Sequence, residues 1–250
     1  SSPIQVPGFS GASTADGKVA VGNRNWYSVK TNGELWVCGN NNEGTLGYNT
    51  TNPAQYSSPV QVPGTNWNTV IGRAAYWTAG GKTDGTLWVW GGAVGTRGVD
   101  GTNGSIAANT VSSPVQVPGT DWVTDRGGWY ASASTMLATR TDGTLWAWGQ
   151  NSYGALAQNT PTSSDVSSPT QIGSGTDWSK IGGGANHYIA TKTDGSLWGW
   201  GRNNYGQLGI NDRTDRSSPI QIPGTVWTSN QIGVAAGGWS SLVILEDTNV

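Results

Sequence analysis

Charge is scarce in this sequence: Asp, Glu, Lys and Arg make up 11% of it, and 13 basic against 15 acidic residues leave a formal net charge of −2. An average soluble domain is about a quarter charged, so this surface must be polar through Ser, Thr and Asn instead. No basic footprint is present to neutralise phosphates, which excludes ordinary nucleic-acid binding. Cysteine is reduced to Cys38, which cannot form an internal disulfide and reads as a small buried hydrophobe. Histidine is reduced to His187. With one of each, neither a His/Cys metal set nor a paired nucleophile and base is expected, and no cofactor is implied. No apolar run approaches the ~20 residues of a membrane-spanning helix, so no membrane insertion is expected, and no signal peptide is visible. An initiator Met is also missing, which leads us to expect a processed chain or a piece of a longer one.

What the sequence has in excess is repetition. Thr193-Asp194-Gly195-Ser196-Leu197-Trp198-Gly199-Trp200-Gly201 is preceded by three near copies, centred on Gly33, Gly85 and Gly143, at steps of 52, 58 and 52 residues. That period is slightly longer than the roughly 40–50 residues of a propeller blade. Asn-Gly or Asp-Gly between apolar runs signals a β-hairpin, and a two-residue type I′ turn is the expectation. The Leu-Trp-x-Trp that follows is apolar on both alternating faces, so both faces should be buried. Without any helix-period segment, sheet must pack on sheet on either side, as radially arranged blades do.

A second phrase recurs as Ser-Pro-x-Gln-apolar at Ser2, Ser58, Ser113, Ser168 and Ser218. Its prolines suit a strand at a blade's edge. Taking each phrase as an opening divides a single 1–250 domain into units of about 1–56, 57–111, 112–166, 167–216 and 217–250. Tryptophan follows the phrase at Trp67, Trp122, Trp178 and Trp227, whereas the first unit has Phe9 and a Ser/Gly/Ala stretch from Ser10 to Gly17. After each Trp-x-Trp-Gly strand comes a loop such as Asn151-Ser152-Tyr153-Gly154-Ala155-Leu156-Ala157 or Asn203-Asn204-Tyr205-Gly206-Gln207-Leu208-Gly209. The second unit breaks this pattern with Gly91-Gly92-Ala93-Val94 and an insertion from Val99 to Thr110, where specificity is expected.

The run Gly182-Gly183-Gly184-Ala185-Asn186-His187, the Trp-Gly before Arg202 to Gly209, and the downstream Ser-Pro-x-Gln-Ile phrase together resemble the repeat of the regulator-of-chromosome-condensation (RCC1) family. The resemblance implies an all-β fold, a β-propeller of four-stranded RCC1-like blades, with about five units seen and the last incomplete. Five openings against four complete units imply a segment of a larger propeller, a ring completed by another chain, or an open ring. At the family's histidine position His187 agrees, while Asn25, Trp77, Thr135 and Trp239 fill the other slots. The family includes exchange factors for small GTPases and inhibitors that grip enzymes, but the loops that carry such contacts do not match here.

Asp84, Asp142 and Asp194 sit at hairpin turns and Asp121 and Asp177 before Trp122 and Trp178, all structural positions. No acid/base pair recurs, so no enzyme is expected. Asp100-Gly101-Thr102-Asn103-Gly104 reads as a glycine-rich turn rather than a calcium loop. Of 15 tryptophans, seven lie in the Leu-Trp-x-Trp phrases and four in the Trp67 series, all expected in the core. The candidate binding residues are therefore Trp129, Tyr130, Trp77 and Trp239, with Arg97, Asp100 and Asn103 from the insertion. The leading expectation is a non-enzymatic propeller presenting loops to a protein partner. Composition resembles bacterial or phage surface proteins, so an extracellular or virion-surface setting, with tail or other virion proteins as partners, is the favoured context. A carbohydrate-binding propeller recognising host glycans and a nucleotide-exchange regulator remain the alternatives.

Overall fold

In a computed structural model, described for residues 5–6, 9–13, 18–22, 24–52, 54–72, 77–92, 111–132, 134–160, 164–224 and 227, the chain is all-β. The first sheet holds β1 (Val19–Val21), β2 (Asn25–Val29), β3 (Leu35–Asn40) and β4 (Gln55–Gln61). The second holds β5 (Trp67–Ile71), β6 (Trp77–Lys82), β7 (Leu87–Gly91) and β8 (Val111–Gln116). The third holds β9 (Trp129–Ala131), β10 (Thr135–Thr139), β11 (Leu145–Gly149) and β12 (Val166–Gln171). The fourth holds β13 (Trp178–Gly183), β14 (His187–Lys192), β15 (Leu197–Gly201) and β16 (Arg216–Ile222). Each is an antiparallel meander with strands paired in chain order. First strands of neighbouring blades approach one another, β1 against β5 and β9 against β13, as propeller blades do around an axis.

The Ser-Pro-x-Gln phrase forms β4, β8, β12 and β16, the edge strand expected from its prolines. It closes the blade before it rather than opening the next. The structural repeat is therefore shifted against the 57–111, 112–166 and 167–216 units, because pairing to the Trp-x-Trp strand, not adjacency in sequence, decides where the phrase belongs.

The hairpins also differ from a type I′ turn. Lys82 N–H donates to Thr86 O and Gly85 N–H to Lys82 O, enclosing the three-residue loop Thr83-Asp84-Gly85. Only Gly85 has positive φ, at 80°, and Gly33, Gly143 and Gly195 match it at 80–81°. A three-residue loop with its last residue left-handed needs Gly at that one place. The Asp is selected instead for its side chain: Asp84 Oδ1 accepts from Thr86 N–H at 3.1 Å and from Thr86 Oγ1 at 2.6 Å. At the far end of the same strand, pairing slips between Val89 and Gly91, and again between Ala147 and Gly149. A β-bulge there accounts for the glycine that ends each Trp-x-Trp-Gly phrase, with φ of 108° at Gly91 and Gly149.

The core is a series of seams between blades. Between the first and second, Tyr27, Val29, Leu35, Val37, Leu46 and Val62 meet Trp67, Val70 and Trp90. Leu and x of Leu-Trp-x-Trp thus face the following blade and the second Trp faces the preceding one. The pattern repeats with Leu87 and Val89 against Trp148, and with Leu145 and Ala147 against Trp200. The first tryptophans, Trp36, Trp88, Trp146 and Trp198, are only half-buried, at the blade rim. Cys38, in the slot of Trp90, is buried and donates its Sγ–H to Tyr56 O at 2.9 Å; burial pushes its thiol pKa up. On that face of the first blade Val19 and Val21 are 60% and 70% exposed, whereas Trp129 and Ile181, at the register position of Val19, are 2% and 5%. Phe9 covers part of the face, its ring 5.5 Å from Trp26 and 6.1 Å from Trp36.

Candidate functional site

A meander has two ends. The β2–β3 type hairpins and the connections between blades gather at one, and the β1–β2 type turns and β3–β4 type loops at the other. The hairpin end is nearly identical in every blade. Trp88 Nε1–H donates to Thr86 Oγ1 at 2.8 Å, Trp146 Nε1–H to Thr144 Oγ1 at 2.8 Å and Trp198 Nε1–H to Ser196 Oγ at 2.8 Å. Each hydroxyl in turn donates to the Asp two residues earlier. In the first blade Trp36 Nε1–H donates instead to the Glu34 carboxylate at 3.0 Å, and Asn32 Oδ1 accepts from the Glu34 backbone N–H at 3.1 Å. Hydrogen bonds from Thr86, Thr144 and Ser196 hold the carboxyls of Asp84, Asp142 and Asp194 below the usual aspartate range.

Above each half-buried Trp lies a cation. Lys30 sits 4.1 Å over Trp36 and 5.1 Å over Phe9, and Lys82 sits 4.4 Å over Trp88 and 4.8 Å over Trp67. Arg140 sits 4.1 Å over Trp146 and 4.7 Å over Trp122, and Lys192 4.9 Å over Trp198 and 4.8 Å over Trp178. Asp121 pairs with Arg140 at 3.6 Å and Asp177 with Lys192 at 3.1 Å. The four cations occupy one sequence place, the residue before Thr-Asp/Asn-Gly, a regularity the sequence contains but which carries no obvious chemistry until the rings are brought beneath it. This clamp ties a blade's hairpin to the connection that enters it, and it leaves little for a partner to select.

The loop end shares a skeleton and varies in what it displays. Asn41, Asn151 and Asn203 are fully buried; their Oδ1 atoms accept from the N–H of Leu46, Leu156 and Leu208. Trp90 Nε1–H reaches back to Thr45 O at 2.9 Å and Trp200 Nε1–H to Ala155 O at 3.0 Å, so each loop is docked by the following blade's tryptophan. On this skeleton the third loop residue is Glu43 in the first blade, Tyr153 in the third and Tyr205 in the fourth. Tyr153 is 38% and Tyr205 65% exposed, and Arg202 lies with its guanidinium carbon 4.7 Å from the Tyr153 ring centre and 5.5 Å from that of Tyr205. Arg202 Nε–H donates to Asn204 Oδ1 at 2.9 Å. Tyr153 adopts φ 59°, ψ 22°, a left-handed conformation costly for a bulky side chain.

The residues expected from sequence to form a binding face lie elsewhere. Trp77, Trp129 and Tyr130 are 2%, 2% and 8% exposed, packed in the seams on either side of the third blade. Trp77 pairs with Gly91 as His187 pairs with Gly201, Asn25 with Gly39 and Thr135 with Gly149, so all four fill one register slot at the start of the second strand. That slot points into a seam, and His187 is 1% exposed. Trp129 Nε1–H donates to Thr69 Oγ1 at 3.2 Å and Tyr130 Oη–H to Gly184 O at 3.4 Å, bonds that cross from blade to blade. Trp239, Arg97, Asp100 and Asn103 lie outside the described residues. Tyr153, Arg202 and Tyr205 were readable as loop residues only; nothing in their spacing says that two loops 52 residues apart share a guanidinium. Among the described residues no His, Cys, Asp and Glu cluster is placed to hold a metal.

Comparison with known proteins bears directly on this geometry. The chain matches the Regulator of chromosome condensation (RCC1) repeat over residues 32–79, 142–191 and 194–244. It belongs to the RCC1 repeat family. The Ultraviolet-B receptor UVR8 of Arabidopsis thaliana is 35% identical over 42% of this chain and 24% of its own length. The human Probable E3 ubiquitin-protein ligase HERC3 is 36% identical over 38% of this chain and 9% of its own length. The chain thus spans a quarter or less of these relatives. Among solved structures, yeast RCC1 (Prp20), bound to Kap60, superposes with a TM-score of 0.76 at 20% identity, covering 98% of this chain and 57% of that one. Human WBSCR16 gives 0.67 at 23% identity, covering 85% of this chain and 55% of that one. The likeness to yeast RCC1 supports the blade architecture.

Proposed function

We propose that this RCC1-type propeller is a non-enzymatic recognition module that holds a protein partner at the loop end of its blades. The observation that carries the reading is the contrast between the ends. Every described hairpin repeats the cation clamp and three of the four repeat the hydroxyl relay, whereas equivalent loop positions change from Glu43 to Tyr153 to Tyr205 on a shared docking skeleton. Tyr and Arg are the side chains enriched where protein interfaces concentrate their binding energy. Yeast RCC1, of similar fold, is described with Gsp1p, histones and Kap60 as partners, all of them proteins. Composition alone, with 11% charged residues, supports an extracellular or virion-surface setting.

A photo-crosslinking residue placed at Asn204, at the loop end, should give discrete protein adducts in the native host, while one at Asp194, at the hairpin end, should give none. Equal labelling from both positions would overturn the assignment of the loop end.

A further inference from the structure

We infer that the seam between the third and fourth blades, built by Tyr153, Arg202 and Tyr205, is the docking point for an acidic segment of the partner; this rests on the loop-end reading above. The two tyrosines come from different blades and reach one guanidinium, which sits within 5.5 Å of both ring centres. Such a stack is assembled before any partner arrives, so less side-chain entropy remains to be lost on binding. The seam between the first and second blades lacks it: the equivalent residues there are Glu43 and Gly92, and the Glu43 carboxylate fills the space a side chain at 92 would need.

The guanidinium selects the ligand. The two loops that meet at the seam, 150–166 and 202–216, carry Arg202, Arg213 and Arg216, three of the chain's 13 basic residues, and Asp165, Asp212 and Asp215. The carboxylates serve their own loops: Asp165 Oδ1 accepts from Asn151 N–H at 3.0 Å, Asp215 Oδ1 from Asn203 N–H at 2.7 Å, and Asp212 from Thr214 N–H, Asn203 Nδ2–H and Arg216 Nη2–H. Arg213 is exposed. A carboxylate-bearing peptide matches a planar guanidinium, with the tyrosine edges covering apolar neighbours.

The test is fluorescence anisotropy with three labelled peptides, alternating Asp/Leu, Ser/Leu and Lys/Leu, beside a panel of neutral oligosaccharides. The Asp/Leu peptide should bind most tightly and weaken as salt rises. Arg202→Ala and Tyr205→Ala should each lower its affinity about tenfold or more, while Tyr48→Ala, at an exposed tyrosine of the first blade, should leave it unchanged. Tyr205 is 65% exposed, so its variant folds even if Arg202→Ala does not. No preference for the Asp/Leu peptide, or no loss in either variant, overturns the seam. If binding persists in both variants but falls on substitution elsewhere at the loop end, the seam fails and the protein-recognition reading stands. If oligosaccharides bind and Tyr205→Ala abolishes it, both fall.

Discussion

At the hairpin end, Trp88, Trp146 and Trp198 each donate to a hydroxyl two residues back at 2.8 Å and each lie under a Lys or Arg. At the loop end, the residue between Asn and Gly is a carboxylate in one blade and a tyrosine in two others, one of them held at positive φ. The same repeat has been kept for stability at one end and released at the other. Strain at Tyr153 is tolerated because Asn151 and Trp200 fix the loop from below.

Substitutions should separate the two ends in size of effect. Trp122→Ala empties a fully buried site beneath Arg140 and between two other indoles, and should cost about 3–5 kcal/mol in denaturant unfolding. Tyr205→Ala should cost less than about 0.5 kcal/mol; a comparable loss would erase the distinction. Next in size, Arg140→Ala should cost about 1 kcal/mol after allowing for solvent screening of its partly exposed side chain. Arg140→Lys should recover most of it, since Lys82 and Lys192 do the same work in neighbouring blades. Stability should also depend on pH, with the hairpin end contributing three carboxylates. The folded pKa values of Asp84, Asp142 and Asp194 lie below the unfolded value of about 3.9. Their contribution is therefore complete above that pH and is lost as pH falls through the folded values. A melting series from neutral pH to below about pH 4 should show the loss, and replacing all three by Asn should reduce it, Glu34 and Asp212 supplying the remainder. A small effect, of either sign, is expected at Tyr153→Gly. Relief of the left-handed backbone offsets the lost ring contact, so stability should shift by less than about 1 kcal/mol, while affinity for the acidic peptide falls.

Much of the fold was legible because its signals are local. Asp-Gly before an apolar run marks a hairpin, proline marks an edge strand, and apolar residues on both faces of Leu-Trp-x-Trp demand neighbours on both sides. Other readings went only part of the way. The type I′ expectation was replaced by a three-residue loop because Asp84 contributes its carboxylate rather than a positive φ. Trp36, Trp88, Trp146 and Trp198 were expected in the core and stand instead at the rim, where a cation covers the face and a hydroxyl, or for Trp36 the Glu34 carboxylate, accepts from the N–H. Trp129 and Tyr130 looked like an aromatic pair outside the repeat, yet they hold the register places of Ile181 and Gly182 and are interior for that reason.

The sequence by itself determined strand, turn and edge, since these depend on residues within a few positions of one another. Tertiary structure decided which blade the Ser-Pro-x-Gln strand joins, which face each tryptophan covers and which loops meet. Those outcomes rest on contacts such as Trp90 with Thr45 and Trp200 with Ala155, each spanning 45 residues. A guanidinium shared by two tyrosines of different blades exists only once the seam between those blades has formed.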